Sequence, residues 1–367
     1  LSRIYHPALG FMAGWVSATV GFAAPVALAA MAFGEYFAGV LPGVPPLPVG
    51  LAVAWGVTAV LLSGMRPGTT FQNISTLIKV ALILVFLVAG FSVAEPQPIS
   101  FLPQPGDFGL IASAPFAVSL VFVMYSYSGW NAATYIAGEV RAPERSLPVA
   151  MAVATLVVIV LYVALNAVFL YTTPISAMTG QLNVAQIAGE HIFGPTGGRV
   201  VAGLICIGLV SAISAMMWIG PRVTVAMGED FPLLGIFARH SRGGVPGAAL
   251  GLQIAVVTLL LLTQSFEAVL DFIQFSLTLC SFLAVVGVIV LRVTRPDLPR
   301  PYKVWAYPLT PLVFLVVTGL MMGYLLSERP VQSLASLGLM ASGLVLFFLS
   351  RRGSGRGDGD LQREAQG

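Results

Sequence analysis

An all-α bundle of membrane-spanning helices is the fold class this sequence predicts, and three observations carry it. Hydrophobic residues make up 57% of the chain and charged residues 9%, where a soluble domain carries about 25% charged residues. Mean hydropathy is +0.91. The apolar residues also gather into runs of about 20, the length a helix needs to cross a bilayer.

The runs fall near residues 9–33, 47–64, 73–93, 112–137, 148–171, 199–220, 246–264, 268–291, 309–327 and 331–350, which makes ten predicted transmembrane helices. Residues 1–350 therefore read as one transmembrane bundle. Residues 351–367, RRGSGRGDGDLQREAQG, are charged and Gly-rich and are expected to be a disordered tail. An even number of spans puts both ends on one side. With the N-terminus taken as cytoplasmic, the inner segments hold Arg3, Arg66, Lys79, Arg141, Arg145, Arg222, Arg239, Arg242, Arg292, Arg295, Arg300, Lys303, Arg351, Arg352, Arg356 and Arg363. That is 16 of the 18 basic residues, leaving Arg199 and Arg329 outside. Cytoplasmic loops of membrane proteins carry such an excess, so a multi-pass protein of the cell (inner) membrane with cytoplasmic ends is expected.

The connections differ in kind. Segments 34–48 and 94–109 are Pro-rich and lack basic residues. Segment 172–198 is the longest outside connection, and its NVAQIAGEHIF reads as a short amphipathic helix, either a lid or a cap on the bundle. Segment 221–245 also looks helical. Segment 292–308, RVTRPDLPRPYKVWAYP, reads as an extended linker near anionic headgroups.

Several function classes drop out. Cys206 and Cys280 lie in apolar runs, with no disulfide framework and no metal-ligand spacing. The histidines, His6, His191 and His240, are scattered. No phosphate-binding GxxxxGK[ST] loop and no HExxH pattern occurs. The chain is not read as an enzyme, and neither a cofactor, a metal nor a nucleic-acid partner is expected.

Residues 120–148, LVFVMYSYSGWNAATYIAGEVRAPERSLP, hold the strongest candidate site. Tyr125, Ser126, Tyr127, Ser128, Gly129, Trp130 and Asn131 form a polar, glycine-containing island between two apolar runs. In a bilayer core an unpaired backbone group costs several kcal/mol, so a break there must line a cavity or meet a ligand. Ordinary small-residue helix packing is the other reading. Lys79 lies about two turns into the third run, either snorkelling to the interface or acting as a buried cation. Trp15 suits an interfacial belt, and Trp130 suits it less. Ser211 and Ser214 share a helix face, for packing or for a pathway. Glu267 and Asp271 read as a solvated helix end at the outer mouth.

These residues resemble a known family. YSYSGWNAATYIAGEVRAPERSLPVAM is similar to the sixth helix and following loop of the amino acid–polyamine–organocation (APC) transporters. GPRVTVAMGEDFPLLGIFARHSRGGVPGAAL resembles the family's loop after the eighth helix, RVTRPDLPRPYKVWAYP the loop after the tenth, and YHPALGFMAGW the opening of the third. The resemblance runs from Leu1 to about Ser350. It implies helices three to twelve of an inverted five-plus-five repeat, with the first two helices lacking a counterpart here. It implies a secondary transporter of amino acids or related amines that works by alternating access, with a proton or a counter-substrate as coupled partner. Tyr125 to Gly129 would be the unwound part of the sixth helix. Ser126 and Ser128 would meet the substrate's amino or carboxylate group, and Tyr125 its side chain. Asn131 stands where some relatives carry a glutamate. Lys79 matches a lysine that in some relatives replaces a sodium ion, which favours proton-linked or exchange transport. Because half of the family's substrate site lies on the helices without a counterpart, the alternative is a transport-inactive membrane fragment or partner subunit.

The topology is directly testable. In a cysteine-free background, single cysteines in 94–109 should react with an impermeant thiol reagent in intact cells, and cysteines in 292–308 should not. The reverse pattern would invert the protein in the membrane.

Overall fold

The computed structural model describes residues 1–64, 69–111, 113–130, 140–239, 244–300 and 302–353. Arg66, Asn131, His240, Arg242, Arg356 and Arg363 therefore lie outside the described residues, as does the tail beyond 353. Every regular element among the described residues is helical.

Helix α1 (Pro7–Val16) starts on a His6 side-chain cap and passes through one π-helical turn, Ser17–Gly21, into α2 (Ala23–Val40). There follow α3 (Pro46–Leu62), α4 (Thr69–Gly90), the short α5 (Asp107–Ile111) and α6 (Ala114–Ser126). Next come α7 (Pro143–Thr172), a single turn α8 (Ile175–Met178) and the long α9 (Val184–Asp230). The chain closes with α10 (Gly247–Leu262), α11 (Phe266–Thr294), α12 (Leu309–Glu328) and α13 (Pro330–Gly353). Proline occupies the first turn of α1, α3, α6 and α7, where its missing N–H costs no helical bond.

Seven helices among the described residues are long and apolar enough to cross a membrane, which makes this a multi-pass membrane protein. The first of them joins α1 and α2 as Pro7–Val40. Three of the ten expected spans appear as apolar helices of 17, 13 and 16 residues, namely α3, α6 and α10. The amphipathic segment expected after residue 182 is helical and is set off from the span by a residue of non-helical geometry. It forms the first part of α9 and meets the span at Gly194, whose φ of 75° and ψ of 176° kink the helix.

Helix α2 sits at the centre, packed on α3, α9, α10 and α11. Its sequence, AAPVALAAMAFGEYFAGV, explains this. Ala23, Ala24, Ala27 and Ala30 are buried on more than one face, and small residues let helix axes approach closely. At Gly34 an added Cβ would lie 2.3 Å from Pro46 O of α3, and at Gly50 of α3 it would lie 2.7 Å from Ala30 O. Two apolar clusters flank α2. One joins it to α3, α9 and α10 through Val26, Ile213, Met217 and Val257. The other joins α1 and α2 to α11, α12 and α13 through Val16, Leu28, Ile273, Met321 and Met340. Helices α4 and α7 form the opposite, open side, where Leu77, Leu84, Val88, Val153, Leu156 and Val163 are exposed.

Side chains from neighbouring helices bond main-chain oxygens at irregular points of the bundle. Pro221 of α9 lacks an N–H and crowds the carbonyls one turn back. The buried amide of Gln253 on α10 donates to Met216 O at 3.2 Å. Gly220 makes room, since a Cβ there would lie 2.7 Å from the Gln253 amide atoms. Thr224 Oγ1 likewise donates to Ala18 O, in the π-helical turn, at 3.3 Å. After α11, Arg300 donates to the carbonyls of Leu291, Arg295, Pro296 and Leu298 at 2.7–3.2 Å. The linker after α11 is thus folded back as a cap rather than simply extended.

Gly34→Val should lower the melting temperature of the detergent-solubilised protein, at a cost of roughly 1–3 kcal/mol, typical of an overpacked contact. Gly323→Val, where no atom stands within 4 Å of an added Cβ, is the control and should melt close to wild type.

Candidate functional site

Helix α6 ends within the polar island. α6 buries Ala117 and Val121 on its way in and holds helical geometry through Ser126. Tyr127 caps it with φ −96° and ψ 8°, its N–H bonded to Val123 O at 3.2 Å, and Ser128 N–H bonds to Tyr125 O at 2.9 Å. Gly129 follows with φ +89°. Nothing stands within 4 Å of where a Cβ would be, so glycine is required here by dihedral angle and not by space.

The island's side chains divide. Tyr125 packs against the cluster built on Val121, Val269 and Ile273, and Ser126 Oγ donates back to Phe122 O at 2.8 Å. Both belong to the last turn of α6, so the departure from helix begins at Tyr127. Ser128, Gly129 and Trp130 are exposed. The Tyr127 ring stands 5.4 Å from that of Tyr162 on α7, inclined at 53°. Tyr162 was not singled out from sequence, because an isolated tyrosine in an apolar run carries no periodic signal.

Lys79 belongs to a second constellation, the seam between α4 and α9. Gln72 Nε2 donates to Ser211 O at 3.2 Å, and Ser211 Oγ returns a bond to Gln72 Oε1 at 2.7 Å. Two turns along α4, the Lys79 stem lies across Gly208, where an added Cβ would sit 3.1 Å from its Cε. Between them Ser75 is buried and its hydroxyl has no hydrogen-bond partner. Gln72, Ser75 and Lys79, at i, i+3 and i+7, thus share one face of α4. That spacing was readable in QNISTLIK once Gln72 is included. Among the described residues the Lys79 ammonium has no ion-pair partner. An unpaired cation within a spanning helix is costly. Ser214 Oγ donates to Val210 O at 2.7 Å, within its own helix.

The structure brings these two constellations to different partners. α4 packs on α7 and α9, and α6 packs on α11 and α12. α7 meets both, through its contact with α4 and through the Tyr127–Tyr162 rings. Trp15, expected in an interfacial belt, donates its indole N–H to Ser342 Oγ at 3.1 Å and joins α1 to α13. Trp130 is exposed.

The expected solvated end at Glu267 and Asp271 is half corrected. The Glu267 side chain is 61% exposed, but that of Asp271 is 3% exposed. Arg329, after α12, stands 3.8 Å from Glu267 and 3.6 Å from Asp271. Asp271 is drawn inward because its face of α11 turns to the neighbouring helices, whereas Glu267 lies one turn nearer the helix end.

A family model described as amino acid permease matches residues 1–348. The chain is 25% identical to b(0,+)-type amino acid transporter 1 of Mus musculus, over 95% of this chain and 73% of that protein. It is 23% identical to the serine/threonine exchanger SteT of Bacillus subtilis, over 95% of this chain and 80% of that one. It is 27% identical to a methylthioribose transporter of the same organism, over 81% and 62% respectively.

If dihedral angle is the constraint at Gly129, Gly129→Ala should lower the melting temperature, with a cost of about 1–2 kcal/mol for a left-handed residue bearing a Cβ. Gly129→Asn should lose less, since asparagine tolerates positive φ. Equal losses would mean that space, not backbone angle, selects glycine.

Proposed function

The chain belongs to the amino acid permease family, and from that premise we propose that it moves an amino acid or a related amine across the cytoplasmic membrane by alternating access. The match over residues 1–348 carries this reading. Members of the family are transporters and not enzymes, and the relatives named above agree.

In this proposal residues 1–350 form one transport unit of ten helices, corresponding to helices three to twelve of an inverted five-plus-five repeat. Residues 351–367 are a tail on the same, cytoplasmic side as the N-terminus. The substrate meets the chain where α6 ends. Backbone groups from Tyr127 to Trp130 leave the helix there, and at bilayer depth they need a partner. The substrate's amino and carboxylate groups are suitable partners, with Ser126, Ser128 and Asn131 beside them and the Tyr125 and Tyr127 rings against its side chain. Gly129 keeps the backbone itself accessible.

Lys79 is proposed as the fixed cation of the coupling machinery. Its stem is held on Gly208 of α9, so movement of α9 against α4 would move the ammonium. A resident lysine makes a bound sodium ion unnecessary, which favours proton-linked transport or exchange. The relative named as an exchanger supports the exchange mode. The Gln72–Ser211 pair lines the same seam, and Ser211 and Ser214 are proposed as part of the pathway along α9.

The natural gene product, purified into liposomes preloaded with unlabelled amino acids, should take up labelled L-amino acids saturably and in preference to the D-forms. Internal substrate should accelerate the uptake if exchange operates. Lys79→Met should abolish uptake together with its dependence on external pH, whereas a snorkelling lysine would tolerate the change. Absence of saturable uptake by the wild type would leave a membrane protein with no transport of its own.

A further inference from the structure

We propose that Asp271 is a proton-binding site at the outer end of the bundle, a two-position latch held by Arg329 when charged and by Gln274 when protonated. Four observations place it. Asp271 and Gln274 lie on one face of α11, three residues apart, and each is 3% exposed. Gln274 Nε2 donates to Thr278 Oγ1 at 3.1 Å, one turn further in. Its Oε1 is buried without a hydrogen-bond partner. The nearest charged group to Asp271, Arg329 Nε, stands at 3.6 Å, beyond the 2.7–3.2 Å of a direct N–H···O bond.

A buried acceptor with no donor costs about 1–3 kcal/mol, so the orphaned Gln274 oxygen calls for a donor. The Gln274 amide gives its nitrogen to Thr278, which leaves its oxygen as the free edge on the face of α11 that also carries Asp271. As a carboxylate Asp271 offers only acceptors and leaves that oxygen orphaned. As a carboxylic acid it gains one O–H, and that O–H can donate to Gln274 Oε1. Binding one proton therefore satisfies an acceptor that nothing else among the described residues reaches. No bond other than the new O–H forms, and no electrons are transferred.

The charged neighbours make the switch directional. Of the elements packed on α11, the end of α12 supplies Arg329, with Tyr324 and Glu328 in its last turns. α6 offers only Tyr125 and α2 only Glu35 and Tyr36, while the π-helical turn has no titratable group. The basic residues of α13, Arg351 and Arg352, lie at its far end. Arg329 and Glu267 are the groups that face Asp271. When Asp271 is neutralised, Arg329 keeps the more exposed Glu267 as partner. The clasp between α11 and the α12–α13 corner is then loosened at its buried half.

The test reads the carboxyl group and needs no transport activity. Infrared difference spectra of the purified protein, taken between mildly acid and mildly alkaline buffer, should show a protonated-carboxyl C=O band. Asp271→Asn, which is isosteric, should remove that band, and Glu267→Gln should leave it. Arg329→Gln should move its midpoint to higher pH, by roughly one to three units for loss of an opposite charge at this range. Gln274→Leu should move it to lower pH, because the protonated form loses its acceptor. A band that survives Asp271→Asn, or a midpoint indifferent to Gln274→Leu, would overturn the assignment. Should Asp271→Asn fail to fold, the opposed shifts of the other two variants still decide it.

Discussion

Every polar group inside this bundle is subject to the same constraint. The bilayer offers no water, so a backbone or side-chain group that leaves its helix must find a partner within the protein. The chain breaks helical geometry repeatedly in the middle of apolar sequence, and most breaks come with a partner. Near Pro221 the Gln253 amide bonds Met216 O, and in the π-helical turn Thr224 bonds Ala18 O. The end of α11 has the Arg300 guanidinium across four carbonyls. The end of α6 differs. After Tyr127 and Ser128 close their turn, the described backbone goes on exposed through Gly129 and Trp130. Among the described residues that exposed stretch is the physical reason to seek the substrate there.

The second ordering principle is the size of the residues on α2. Four helices meet it because alanine and glycine hold them at close range, with Gly34 and Gly50 pressed against main-chain oxygens of the neighbouring helix. That makes α2 a fixed post. Of the helices that carry the proposed site, α6 buries Val121 in the cluster beside α2, whereas α4 and α7 bury little of their apolar surface. A transporter needs parts that stay and parts that move, and the distribution of small residues separates them.

Charge completes the arrangement at two places. Lys79 sits in the α4–α9 seam, its stem against Gly208 and its ammonium without an ionic partner among the described residues. Asp271, in the first turns of α11, has a guanidinium near it but not bonded to it. Each is an ionisable group in surroundings that do not fully satisfy it, and such groups respond most readily to a proton, a substrate or a helix movement.

Much of this was legible in the linear chain. Composition determined the membrane class, apolar run length located the helices, and the YSYSGWN island marked the end of α6 to within two residues, because hydrophobicity and helix-breaking residues act locally. The Gln72–Ser75–Lys79 face was also present as a spacing, though not as a contact. Other features were decided only by tertiary structure. The burial of Asp271 depends on which way its face of α11 turns, and nothing in SFEAVLDFIQ distinguishes a lipid, water or protein neighbour. The Tyr127–Tyr162 contact, the Gln253 bond to α9 and the Arg329 clasp join residues 35 to 62 positions apart, so no local pattern encodes them. Local chemistry determined where the chain can leave the helix, and packing decided which of those departures is left open.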